Sequence, residues 1–374
     1  MGDISRAYAT QELHIPIVSN AGVNRTLKKG IMDKVVQIVN KKALVPPPDI
    51  VSLKWSTKDL VGEKVGVQDL LNYLQSFDTW ATWTDVNALR SKQFTANGNK
   101  GSVGMDLLRN KQGRIVCIPY PNGPAEQAGI VEGDILIMDS SFEQIAKSLA
   151  GDVDTMVTLY VERYGTSVPI TITRKKVTIP TIQYKRYADF AYIRIWHFDN
   201  NTPKLLDSIL QKVGFQALVI DLRANSGGNI LAALNCATEF LPQNVLLSMS
   251  RVRENENSLN YKVKSIRTAK QGKFLNLAPL IIWQDNFTAS AAEAFIAALV
   301  DNFRAKSIGG KSFGKGHVQR VINVDGNRLT LTTEELLAPN GLSWVGIGLE
   351  AQVEMGNMHV SNFILKTHDL VKPF

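Results

Sequence analysis

Ala217-Leu218-Val219-Ile220-Asp221-Leu222 runs directly into Arg223-Ala224-Asn225-Ser226-Gly227-Gly228, and this stretch decides the fold. Its first half is almost wholly apolar, as a strand buried on both faces of a parallel sheet must be. The two glycines then permit a sharp turn and point backbone N–H groups into a cleft. A helix is expected over residues 229–241. Upstream, residues 191–196 read as a strand, and residues 203–213 as a helix with Leu205, Leu206, Ile209 and Leu210 on its apolar side. Downstream, residues 279–283 repeat the buried-strand pattern, and a helix follows from 289 to about 303. Alternation of this sort predicts an α/β core, a sheet covered by helices. Further strands are expected near 318–324 and 328–333.

Away from this core the pattern changes. Short β-like runs at 103–108, 114–118, 134–138, 156–161 and 168–172 surround Gly123-Pro124-Ala125-Glu126-Gln127-Ala128-Gly129-Ile130, a short helix ending at a glycine. A second short helix is expected over 142–150. Five or so strands with two short helices make a compact β-rich domain. Residues 1–22 show no period and read as an arm. Leu27, Ile31, Val35 and Val39, widened by Met32 and Val36, predict a helix with Asn24 as its cap, stopped before Pro46-Pro47-Pro48. Leu70, Leu71 and Leu74 predict another over 67–77. The division is an N-terminal helical region (1–100), a β-rich unit (101–178) and a core with a C-terminal extension (179–374). The N-terminal helices are expected to pack with the C-terminal segment, within one subunit or between two, and the oligomeric state stays open.

Composition excludes several classes. Among 374 residues, 44% hydrophobic and 20% charged content is ordinary for a globular chain and excludes wholesale disorder. Two cysteines, Cys117 and Cys236, make neither a disulfide scaffold nor a cysteine-rich zinc site. They read as structural, and no metal or cofactor is called for. No apolar run reaches the ~18 residues of a membrane span. The first residues carry neither the apolar stretch of a signal peptide nor the myristoylation pattern, since Ser falls at position 5. The net charge of +8 suits an acidic partner or peripheral contact with an anionic membrane. The lysines and arginines are scattered, however, with no aromatic RNA-binding signature, which argues against nucleic acid.

Chemistry is expected at two places past a buried strand: the turn from Asp221 to Gly228, whose ordinary reading is a tight βα turn, and the stretch from Phe287 to Glu293. In Phe287-Thr288-Ala289-Ser290-Ala291-Ala292-Glu293, Ser290 opens a helix just past a buried strand, where free N–H groups and the helix dipole favour an anion. A nucleophilic Ser290 has the N–H of Ala291 at hand as an oxyanion donor. Ser290 or Thr288 as a plain helix cap is the ordinary reading. A serine nucleophile needs a base. His14, His359 and His368 lie near the ends, His197 reads as an edge or core histidine, and no G-x-S-x-G elbow occurs. A lysine neutralised by burial is the alternative. Lys315 stands between Gly314 and Gly316 at the entry to a strand, with Gln319 placed to orient its amine. A solvated loop lysine is the ordinary reading there, and the phosphate-loop order is absent.

These residues together resemble the C-terminal processing (tail-specific) serine peptidases. Phe287 to Glu293, then Phe313-Gly314-Lys315-Gly316-x-Val318-Gln319, is similar to that family's Ser–Lys dyad motifs, with Ser290 and Lys315 25 residues apart. Asp221 to Gly228 resembles its D-L-R-x-N-x-G-G turn. Gly101-Ser102-Val103-Gly104-Met105, with the segment from Gly123 to Asp134, resembles its PDZ domain. Two departures stand out: Ala292 replaces a frequent Ser, and Gly348-Leu349-Glu350-Ala351-Gln352-Val353 stands where G-I-x-P-D is usual.

The resemblance implies a β/α sheet-and-helix protease core of the ClpP/crotonase-like type, an inserted PDZ-like β domain and an N-terminal helical region, a multi-domain α+β arrangement. It implies Ser290 as nucleophile, Lys315 as base and Gln319 as its holder. The oxyanion would meet the N–H of Ala291 and one N–H from Gly227 or Gly228. Ser102, Val103 and Gly104 would hold a substrate's terminal carboxylate while Met105, Asp106 and Leu107 pair with the peptide. Such proteins are normally extracytoplasmic. Two other readings are a silent PDZ-type peptide-binding adaptor and a related enzyme acting on acyl thioesters.

Overall fold

The computed structural model describes residues 26–47, 64–84, 100–109, 113–137, 148–178, 180–212, 216–255, 258–268, 270–275, 279–355 and 360–371. The decisive stretch forms the middle of a six-stranded sheet. Its strands are β11 (Ile182–Arg186), β12 (Ala191–Ile195), β13 (Leu218–Asp221), β16 (Leu280–Gln284), β17 (Ala305–Gly309) and β20 (Val353–Glu354), adjacent in that order. All neighbours are parallel except β11, which runs antiparallel to β12. Side chains alternate across this sheet as the pleat requires. Ile193, Ile220 and Ile282 join a core made with α4 (Thr202–Leu210), α5 (Ile230–Thr238) and α6 (Ala291–Val300). Tyr192, Val219, Ile281 and Trp283 face the other way, where α7 (Val360–Val371) covers them with the fully buried Phe363. Burial on both faces is why these strands read as unbroken apolar runs.

A second sheet lies over the helices. It comprises β14 (Leu246–Arg253), β15 (Tyr261–Arg267), β18 (His317–Val324) and β19 (Asn327–Leu337), with β3 (Thr82–Thr84) added to β19. Leu247 and Leu336 from it enter the helix core. All of β15 except Ile266 is exposed, Tyr261 and Val263 included, so the strand carries no buried face by which to recognise it.

The N-terminal region consists of β1 (Thr26–Lys28), α1 (Lys29–Lys42), β2 (Lys64–Gly66) and α2 (Val67–Gln75). Leu27 belongs to β1, which pairs with β2, so the helix starts later than its apolar spacing suggests. Val35, Val39, Leu70 and Leu74 bury themselves against Val324, Leu329 and Leu331 of β18 and β19. Within this chain, these helices pack on β18 and β19 rather than on the expected C-terminal segment. Their apolar stripes are satisfied by the second sheet, while α7 is satisfied by the far face of the first.

Residues 100–175 hold a five-stranded antiparallel sheet, β10-β9-β7-β6-β5, built from β5 (Met105–Arg109), β6 (Ile115–Pro119), β7 (Ile135–Ile137), β9 (Met156–Arg163) and β10 (Thr166–Thr173). A small pair, β4 (Lys100–Ser102) with β8 (Ala150–Asp152), and the short α3 (Pro124–Gln127) complete it. Val103, Cys117, Ala125 and Val161 form its own fully buried core. The helix expected over 142–150 lies mostly outside the described residues, and Ala150 already belongs to β8. This unit docks on the main sheet through Ile118 and Tyr120, which meet Trp196 and Ala224. The arm at 1–22 and the Asn24 cap fall outside the described residues.

Candidate active site

Two chain reversals meet at the carboxyl ends of β13 and β16, where open α/β sheets place their ligands. Asp285 knits them together. Its Oδ1 accepts the N–H groups of Phe287 and Thr288 at 2.9 Å, and both its oxygens accept the N–H of Ala224 at 3.1 Å. Thr288 Oγ1 donates to the carbonyl of Leu222, and the N–H of Ala289 donates to the carbonyl of Asn225, each at 2.9 Å. Thr288 is thus spent on the turn. Ser290 follows at φ 58°, ψ −118°, a conformation that a side chain adopts only when its surroundings impose it. Ala291 begins α6, so its N–H has no carbonyl of the helix to pair with.

The glycine turn lies directly against this serine. A Cβ on Gly227 would sit 2.7 Å from Ser290 Cβ and 2.9 Å from the nitrogen of Ala291. On Gly228 it would lie 2.1 Å from the carbonyl oxygen of Phe198. The N–H of Gly227 donates to Asn225 Oδ1 at 2.8 Å. That commitment occupies the Gly227 N–H and not that of Gly228.

Lys315 is delivered by the segment between β17 and β18. Its flanking glycines are needed for close approach: a Cβ on Gly314 would lie 2.9 Å from the nitrogen of Gly348, and one on Gly316 2.8 Å from Val345 Cγ2. Lys315 Nζ donates to Gln319 Oε1 at 3.2 Å, and Gln319 Nε2 donates to the carbonyl of Trp80 at 2.7 Å. Burial holds the amine's pKa below the ordinary lysine value, against the opposing pull of Glu293 and Asp78. Gln319 thus links the Lys315 amine to the carbonyl of Trp80.

Glu293 is the residue that joins the two halves, and sequence reasoning missed it. Its carboxylate is fully buried. Oε2 accepts the N–H of Ser290 and the N–H of Lys315, each at 2.8 Å. Oε1 accepts from Ser312 Oγ and the N–H of Gly314, each at 2.6 Å. Burial pushes its pKa up, while those four donors oppose that shift. A signal existed: Ser-x-x-Glu is the spacing of a capping box, whose acidic member reaches back to the first N–H.

A second charged cluster ties the β-rich unit to the core. Glu132 lies between Arg194 (Nη1, 2.6 Å) and Arg223 (Nη1, 3.1 Å), and Arg223 is itself paired with the buried Asp221 at 2.6 Å. Burial opposes the charge on Glu132, yet Arg223 and Arg194 together hold its pKa below the usual range.

The residues expected to hold a peptide lie at one end of this unit. Met105, Asp106 and Leu107 belong to β5, an edge strand with one side unpaired in its sheet. The N–H of Ser102 donates to the carbonyl of Lys175 and that of Val103 to the carbonyl of Leu149, so neither faces a ligand. Gly104 N–H meets only the hydroxyl of Ser102, at 3.2 Å, which a stronger acceptor can displace. Asp106 Oδ1 accepts from the Tyr120 hydroxyl at 2.6 Å.

The remaining nucleophile candidates stand apart. Cys117 and Cys236 are buried, and burial drives both thiols upward, that of Cys117 to about 12. His197 lies 3.4 Å from Asp199 on the surface. No group of three metal-ligating side chains occurs among the described residues. Nor is any described helix long and apolar enough to cross a membrane.

An α/β sheet with a serine at a helix mouth and a shielded lysine nearby has the layout of a hydrolase core. Residues 189–355 match the model of peptidase family S41. The chain is 27% identical over 297 residues to the carboxy-terminal-processing protease of Bartonella bacilliformis, covering 75% of this chain and 67% of that one. It is 29% identical over 296 residues to a CtpA-like serine protease of Staphylococcus saprophyticus, covering 75% of this chain but 59% of the relative. The photosystem II D1 C-terminal processing protease has the same fold, with a TM-score of 0.66 and 22% identity over 87% of this chain and 92% of that one. An S41 protease structure from Bacteroides fragilis aligns with a TM-score of 0.59 and 17% identity over 91% of this chain and 98% of that one.

Proposed function

We propose that the chain is a serine endopeptidase that recognises the C-terminal end of a polypeptide and cleaves upstream of it. The observation that carries this reading is the single carboxylate oxygen of Glu293 that receives the N–H groups of both Ser290 and Lys315. In the proposed reaction Ser290 Oγ gives its proton to the neutral Nζ of Lys315 and attacks the scissile carbonyl carbon. The N–H groups of Ala291 and Gly228 meet the oxyanion. Collapse breaks the C–N bond as Lys315 returns the proton to the leaving amine. Water then attacks the acyl ester as Lys315 again takes the proton, and collapse breaks the bond from Ser290 Oγ to the acyl carbon as Lys315 returns that proton to Oγ, releasing the new carboxyl end. Recognition falls to the 101–178 unit, read as a PDZ-like domain. The free edge of β5 pairs with an extended peptide, and the Gly104 N–H takes part in holding the carboxylate.

The test uses an unstructured protein with an apolar free C-terminus. Cleavage by the intact chain, lost in Ser290→Ala and in Lys315→Ala and slowed when the substrate ends in an amide, is the expected result. Tight binding without cleavage would favour a peptide-binding adaptor instead.

A further inference from the structure

Trp80 is the unexpected neighbour of Lys315. It comes from the N-terminal region, 239 residues before Gln319. Its ring centroid lies 4.7 Å from Lys315 Nζ, and its carbonyl accepts from Gln319 Nε2 at 2.7 Å. We propose that Trp80 is a positioning residue for Lys315, fixing the Gln319 amide with its carbonyl and taking one N–H of the neutral amine on its indole face. The proposal rests on Lys315 acting as the base.

The geometry assigns each hydrogen. A carbonyl oxygen only accepts, so the Gln319 NH2 faces Trp80 and its Oε1 must face Lys315. A neutral amine carries two N–H groups and one lone pair in tetrahedral directions. Gln319 Oε1, at 3.2 Å, is an acceptor. The face of an indole is an acceptor as well. Both N–H directions are therefore taken, and the lone pair is left on the remaining side to receive a proton. Without the ring, the amine could rotate its lone pair away from the hydroxyl it serves.

The ring also shields the amine. Its quadrupole attracts an ammonium by about 0.5–2 kcal/mol. Excluding water disfavours the ammonium, by as much as about 3–5 pKa units for a fully buried group. Burial is the dominant influence on Lys315 and holds its pKa down, and the Trp80 ring is one of the groups packed over the amine. The surroundings hold Trp80 in place. Asp78 Oδ1 accepts the Trp80 N–H at 3.1 Å and the Thr332 hydroxyl at 2.8 Å, and Asp78 Oδ2 accepts the Thr332 N–H at 2.6 Å. Thr82 to Thr84 then extends the sheet beside β19.

The test is trace acetylation of the full chain across pH with isotopic acetic anhydride, read at Lys315 by mass spectrometry, alongside the pH profile of kcat/KM. Trp80→Ala should raise the Lys315 midpoint and lower kcat/KM near neutral pH roughly tenfold per unit of rise, recovering at high pH only to the level of Trp80→Leu. Trp80→Phe should keep both near the parent values. Trp80→Leu fills the space without a π face and should lose kcat by roughly tenfold with KM unchanged, through misorientation alone. An unmoved midpoint in Trp80→Ala, with activity either intact or equally low at every pH, overturns the proposal, and so does a full kcat in Trp80→Leu. A shifted midpoint together with cleavage that survives Ser290→Ala would place the error in the dyad reading, not in the role of Trp80.

Discussion

Glu293 Oε2 accepts the backbone N–H of Ser290 and the backbone N–H of Lys315, each at 2.8 Å, so one buried atom ties together the two residues of the proposed dyad. Glu293→Gln puts an NH2 in place of one acceptor and sets donor against donor. It should cost about 2–3 kcal/mol of stability as a buried charged hydrogen-bond acceptor is lost. Activity should fall by roughly a hundredfold through displacement of the dyad. Urea denaturation and a peptide-cleavage assay measure the two effects.

Gly227→Ala and Gly228→Ala should each abolish turnover, for different reasons. The first places a methyl against Ser290 and Ala291, and the second drives one into the carbonyl of Phe198. Both positions also have positive φ, 109° and 125°. A side chain there costs about 1–3 kcal/mol before any clash is counted. Far-UV circular dichroism should show a retained fold for Gly227→Ala and a lowered melting temperature for Gly228→Ala.

Glu132→Gln should loosen the β-rich unit from the core, because Arg194 and Arg223 stay buried with half their negative charge removed. The folded pKa of Glu132 is depressed, so its contribution to stability is complete above the ordinary glutamate value and drains away as pH falls through the lowered one. Thermal melts from pH 7 downward should therefore show the gap between parent and variant narrowing as pH falls below the ordinary glutamate value. A gap that widens as pH falls would contradict this.

Lys315 carries the opposite sign. Its folded pKa is below its unfolded one, so the unfolded chain binds the proton more readily and stability rises with pH across that window. Lys315→Met should stabilise the fold near neutral pH, and the gain should vanish above the ordinary lysine pKa. Paired denaturant titrations at pH 7 and 11 would show it. A destabilised variant at pH 7 would mean that the amine is at ease in its charged form.

The core was legible in the sequence because its strands are buried on both faces, leaving 217–222 and 279–283 as unbroken apolar runs. Ser290, Lys315 and Gln319 could be singled out because glycines and a helix start mark them locally. Trp80, Asp285 and Glu132 left no such mark. Their partners lie far along the chain, and a carboxylate or an indole looks the same in sequence whether it faces water or a lysine. The edge hairpin of β14 and β15 and the covering helix α7 were missed as well, since partial burial blurs the period on which such elements are recognised.

The most direct measurement is the rate at which a fluorophosphonate labels the intact chain, followed by mass spectrometry across pH. The account predicts one adduct, on Ser290, forming faster as pH rises through a limb below the ordinary lysine range and almost not at all in Lys315→Met. Labelling on another residue, or the same rate and profile without the lysine, would contradict it.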